Sequence, residues 1–158
     1  HADEIVREGR FQVIWQTGKY YEREMDEFMR GRDARGIWRG AFIERMDLAY
    51  AAADVVVARS GAGTVSELCL VGKAVVFVPS PNVAEDHQTK NAMALADRGA
   101  ALVVPDREAV ARVFSEVGRL LADDAVRSEM EKNIRALAVA DSADRVADEI
   151  LKVVKRSE

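Results

Sequence analysis

A chain of 158 residues with 49% hydrophobic content can bury an ordinary core, so neither disulfides nor a structural metal is needed to hold it. With 23 basic against 27 acidic residues it carries a formal charge of -4 and offers no global attraction to a polyanion, which argues against nucleic acid as a partner. The one cysteine, Cys69, excludes an intrachain disulfide, and it lies in an apolar helical stretch without a second thiol or paired histidines, so a buried thiol is expected rather than a metal ligand.

The chain opens at His1 rather than at an initiating methionine, and a helical pattern (Ile5, Val6) begins almost at once, which reads as a domain excised from a longer protein; the first residues lack a secretory n-region and h-region, so a cytosolic domain is expected. From there β-rich runs alternate with helical ones. FQVIW is followed by YYEREMDEFMRG, GIWRG by ERMDLAYAAA, DVVVARS by GTVSELCLVG, and AVVFVPS and ALVVP come later. That rhythm predicts βαβ units and a parallel sheet in a single α/β domain spanning 1–158. Val55 to Val57 and Val75 to Val78 are continuously apolar and β-branched, the pattern of strands covered on both faces, so both are expected to be central. Gly72 and Gly99 stand where helices should end, and Pro79 and Pro81 close a strand. Beyond Pro105 the pattern is helical, over about 107–122, 124–138 and 142–155. Ser142 is placed to cap the last helix, whose Lys152, Lys155 and Arg156 suit its carboxyl end and read as solvated surface, with a weak contact to an acidic membrane as the alternative. No run reaches the roughly 18 to 20 apolar residues that span a bilayer, so a soluble domain is expected.

In open parallel sheets ligands bind beyond the carboxyl ends of strands, which directs attention to four loops. These are Gln16 to Lys19, Ala41 to Glu44, Arg59 to Thr64, and Pro81 to Asn91. In the third, Gly61 and Gly63 at a strand-to-helix junction allow close backbone approach and leave the first helical N–H groups for an anion such as a diphosphate. The spacing matches neither the Rossmann nor the Walker pattern, and the glycines fit a plain tight turn equally well. Glu67, three residues past Thr64, fits either a capping box or a carboxylate accepting from both hydroxyls of a ribose. Glu85 to Asn91 fits an ordinary helix start or a sugar-recognition face built from amides. His87 reads as a hydrogen-bonding residue rather than a lone general base.

Three stretches, Phe42 to Met46, Arg59 to Glu67 and Pro79 to Ala92, occur in an order and spacing that resemble the C-terminal domain of the bacterial peptidoglycan glycosyltransferases that make lipid II from lipid I. The resemblance covers almost the whole chain. It implies one half of a GT-B enzyme, a Rossmann-like parallel sheet flanked by helices with a helical C-terminal segment. Such enzymes transfer N-acetylglucosamine from UDP-N-acetylglucosamine to the C4 hydroxyl of a lipid-linked muramyl sugar, as peripheral proteins of the cytoplasmic face of the inner membrane. Carried over by position, the backbone of Ile43 reads the uracil edge, Phe42 and Met46 line the base, and Glu67 holds the ribose. The amides of Ala62, Gly63 and Thr64, with the Thr17 hydroxyl, meet the pyrophosphate; His87, Gln88 and Asn91 face the phosphates or the sugar. No catalytic residue, metal or cofactor is implied within this chain, because the general base and the lipid I surface belong to the N-terminal domain. Two departures stand out. The glycine-rich segment and strand that precede the first helix in the family are lacking, and His87-Gln88 stands where some relatives carry two glutamines. Another GT-B enzyme of UDP-sugars, such as an epimerase or a glycolipid synthase, and a nucleotide-free α/β interaction module are the alternatives.

Overall fold

The structure, a computed structural model, describes residues 1–81 and 86–155. Its contacts divide into two compact units, His1–Ala53 and Asp54–Glu158, each taken by itself below. The first unit runs α1 (Ala2–Glu8), β1 (Val13–Gln16), α2 (Glu22–Met29), β2 (Ile37–Gly40) and α3 (Met46–Ala52). β1 and β2 pair in parallel from Val13 opposite Ile37 to Gln16 opposite Gly40. No residue of this unit is fully buried.

The second unit holds the core. It runs β3 (Val55–Ala58), α4 (Ala62–Val71), β4 (Ala74–Phe77), α5 (His87–Ala96), β5 (Leu102–Val103), a 3₁₀ turn (Asp106–Glu108), α6 (Ala109–Ala122), α7 (Asp124–Arg135) and α8 (Ser142–Lys155). The three strands are parallel in the order β3-β4-β5. All four residues of β4 are 0% exposed, as its unbroken apolar run predicts for a strand covered on both faces. Ala74 and Val76 pack with Val104, with Leu120 of α6 and with Met130 of α7. The matching expectation for β3 does not hold. Among the described residues β3 lies at the edge of this sheet beside β4, and Val57 is 47% exposed, so β3 lacks the cover that β4 has on both faces.

The helix ends follow local chemistry. Asp123 caps α7 by accepting the Val126 N–H at 3.0 Å. α7 stops at Arg135, short of the expected 138, and α8 already includes Ser142, so that serine is the first helical residue rather than the residue before it. Every residue of α8 from 142 to 154 is exposed, including Val146, Ile150 and Val154 on its apolar face. No helix among the described residues is long and apolar enough to cross a membrane. Burial raises the Cys69 thiol above its ordinary range, in keeping with an unreactive thiol.

Gly72 ends α4 in the left-handed region at φ 70°, its N–H bonded to the Leu68 carbonyl at 2.8 Å, and a Cβ there would run into the Arg135 guanidinium. Gly72→Ala therefore incurs left-handed strain of roughly 1–2 kcal/mol as well as displacement of Arg135. Its expected result is a melting temperature lower by at least about 2–4 °C, read by circular dichroism, with α4 retained.

Candidate functional site

The junction between β3 and α4 is the feature the local chain builds most distinctively. After Ala58 come Arg59, the fully buried Ser60, and Gly61 at φ -63° and ψ 150°, the extended residue that precedes the helix. The first helical bond runs from the Val65 N–H to the Gly61 carbonyl at 2.9 Å, so the N–H groups of Ala62, Gly63 and Thr64 come before any intrahelical partner. Ala62 and Gly63 are exposed and Thr64 is half-buried. The first turn contains no acidic side chain to occupy the positive end of the helix dipole.

Neither Gly61 nor Gly63 adopts a left-handed conformation, and among the described residues a Cβ on either would meet nothing within 4 Å. Turn geometry and internal packing thus make no demand for glycine at these two positions. The placement of the cap also argues against the capping-box reading of Glu67. A capping box needs Thr64 in the non-helical cap position, but Gly61 occupies it, without a side-chain cap, and Thr64 is the third helical residue. Glu67 is exposed, one turn beyond Gly63 on the same helix face.

A hydrogen-bond network joins this junction to the start of α5. The Ser60 hydroxyl donates to the Gln88 carbonyl at 2.8 Å, and Asn91 Nδ2 donates to the Ser60 carbonyl at 3.1 Å. Gln88 Oε1 in turn accepts the Ser80 N–H at 2.9 Å. Gln88 and Asn91 are half-buried, and His87 is exposed as the first residue of α5, following Asp86 in a left-handed conformation. Arg59 adds a clamp. Its Nη1 donates to the carbonyls of Val78 at 3.0 Å and Pro79 at 3.3 Å and pairs with Asp106, so the segments that follow β3, β4 and β5 are held to one guanidinium. Asn82 to Glu85 of the fourth loop, with Glu85 the first residue of the expected sugar-recognition face, lie outside the described residues, as does Arg156.

In the first unit, the Ile43 N–H donates to Gln16 Oε1 at 2.9 Å. Of the backbone groups expected to read a base edge, the donor is therefore engaged by a side chain that would have to yield to a ligand. Phe42 is 65% exposed, the surface an aromatic ring needs to stack on a base, and Met46 is half-buried at the start of α3. The Thr17 hydroxyl makes long bonds to the Gly18 carbonyl at 3.3 Å and the Gly40 carbonyl at 3.4 Å.

Of the sequence-selected residues, Ala62, Gly63, Thr64 and Glu67 share the first two turns of one helix, and Gln88 and Asn91 are tied to Ser60, the residue before its cap. Sequence reasoning passed over Ser60, Arg59, Asp106 and Gln16 as organising groups. A serine and an arginine at a glycine-flanked strand end were the available signal for the first two; nothing local marks Asp106.

Residues 1–146 match the glycosyltransferase family 28 C-terminal domain. The UDP-N-acetylglucosamine--N-acetylmuramyl-(pentapeptide) pyrophosphoryl-undecaprenol N-acetylglucosamine transferase of Parabacteroides distasonis is 47% identical over 145 residues, 92% of this chain and 39% of the relative. Its counterpart in Bacteroides thetaiotaomicron is 48% identical over 152 residues, 96% of this chain and 41% of the relative. The chain thus spans about two fifths of the length of these relatives. Among solved structures, MurG of Acinetobacter baumannii is similar with a TM-score of 0.75 at 33% identity, over 89% of this chain and 41% of that one. The glycosyltransferase VinC, solved with DTDP, shares the fold alone, with a TM-score of 0.64 at 21% identity over 92% of this chain and 34% of that one.

Proposed function

The chain belongs to the glycosyltransferase family 28 C-terminal domain family, and on that premise we propose that residues 1–158 form the UDP-N-acetylglucosamine-binding domain of an inverting glycosyltransferase. The whole enzyme carries N-acetylglucosamine to lipid I, giving lipid II, at the cytoplasmic face of the membrane through peripheral contact. The acceptor surface and the general base lie in the part of the enzyme outside this chain.

One observation carries the reading. Two glycines stand at an exposed helix start where neither backbone conformation nor packing calls for glycine, so the space above them suits a ligand that approaches the backbone closely. With the N–H groups of Ala62, Gly63 and Thr64 and an uncountered dipole, that ligand is an anion, and a diphosphate suits it. Glu67 then takes the ribose hydroxyls. His87, Gln88 and Asn91 face the sugar or the phosphates. In the first unit Phe42 and Met46 line the uracil, Ile43 offers it backbone groups once Gln16 yields the N–H, and Thr17 donates to the pyrophosphate. Chemically, the acceptor hydroxyl displaces UDP at the anomeric carbon, and the preorganised amides stabilise the charge that grows on the departing diphosphate.

The test is Gly63→Ala in the full-length protein. Alanine in a helix interior favours folding by roughly 0.5–1 kcal/mol over glycine, and its methyl meets no protein atom, so the melting temperature should stay level or rise. UDP affinity measured by calorimetry should nevertheless fall about tenfold, equivalent to about 1.4 kcal/mol. Unchanged affinity would return the glycines to a plain turn and favour an α/β interaction module.

A further inference from the structure

Ser60 is 0% exposed, yet both its hydroxyl and its carbonyl are directed at α5. Its hydroxyl donates to the Gln88 carbonyl and its carbonyl accepts from Asn91 Nδ2. Through Gln88 Oε1 the same network reaches the Ser80 N–H at the end of β4. Each amide side chain therefore has one pole committed inside the protein, which fixes the other by covalent geometry: Gln88 presents N–H donors and Asn91 presents a carbonyl oxygen. A donor and an acceptor held in fixed orientation on neighbouring turns of a helix discriminate among hydroxyl patterns, because a ligand lacking the matching group leaves one of them unpaired.

We propose that Ser60 is a positioning residue that sets α5 in register with the start of α4, and so governs recognition of the sugar while leaving recognition of the nucleotide to α4. This rests on the UDP-sugar reading given above. Complete burial keeps Ser60 from touching any ligand, so a loss specific to the sugar in a Ser60 variant reports on positioning alone.

The experiment compares wild type, Ser60→Ala, Asn91→Asp and the double variant in the full-length protein, with calorimetric dissociation constants for UDP and for UDP-N-acetylglucosamine and a melting temperature for each. Asn91→Asp keeps size but removes the donor to the Ser60 carbonyl, and at a half-buried position it gives a second route should Ser60→Ala fold poorly. Each single variant is expected to weaken UDP-N-acetylglucosamine at least about tenfold and UDP by less than about threefold. The double variant is expected to be no worse than the weaker-binding single one, as for residues of one network. Equal losses for both ligands, or no loss for either, would overturn the positioning role while wild type still binds UDP. Failure of wild type to bind UDP would instead overturn the donor reading beneath it.

Discussion

Replacing Glu67 with alanine in the full-length protein is expected to weaken UDP binding about ten- to a hundredfold, the equivalent of roughly 1.5–3 kcal/mol for hydrogen bonds to a charged group. Since Gly61 takes the cap position, Glu67 lies too far along α4 to form a capping box with the helix's leading N–H, and its exposed side chain stands one turn beyond Gly63 on the face where the amides begin. A melting temperature measured beside each affinity separates a loss of binding from a loss of stability. 2′-DeoxyUDP supplies the control. It should bind wild type more weakly than UDP does, and the two ligands should bind Glu67→Ala nearly alike, because both the substitution and the deoxygenation remove one interaction. A variant that still prefers UDP over its deoxy form by the wild-type ratio would sink the ribose assignment.

The second large effect is structural. Phe77→Ala removes the largest fully buried side chain from the central strand of the second unit, at 0% exposure among other closed positions, and should destabilise the chain by roughly 3–5 kcal/mol. Urea denaturation followed by tryptophan fluorescence or circular dichroism measures it as a lowered midpoint at an unchanged slope. Val57→Ala on β3 is the contrasting case. With that side chain 47% exposed, little apolar area is lost and the expected change is under about 1 kcal/mol. Similar effects at the two sites would contradict the division into a covered β4 and an open β3.

The two valine runs also show where reading the chain stops. Val55 to Val57 and Val75 to Val76 carry the same local information, a β-branched apolar run, and both form parallel strands of one sheet. Pairing distinguishes them, since among the described residues β4 has neighbours on both edges and β3 on one. Glu67 shows the same limit at the level of one side chain. Spacing permits a capping box, and the backbone angles of Gly61, three residues upstream, decide against it.

What the sequence determined by itself is what depends on near neighbours. The alternation of strands and helices, the left-handed glycines Gly72 and Gly99 at helix ends, the glycine-bearing strand-to-helix junction and the polar start of α5 all follow from steric and hydrogen-bonding preferences acting over a few residues. Tertiary structure alone decided which polar groups organise the candidate site. Ser60 meets Gln88 and Asn91 across 28 and 31 positions of chain, and Arg59 meets Asp106 across 47. A hydrogen bond depends on distance and angle in space, and parallel strands bring their carboxyl-end loops together however much helix lies between them. That is why the loops could be found in the sequence, while the buried serine that ties two of them together could not.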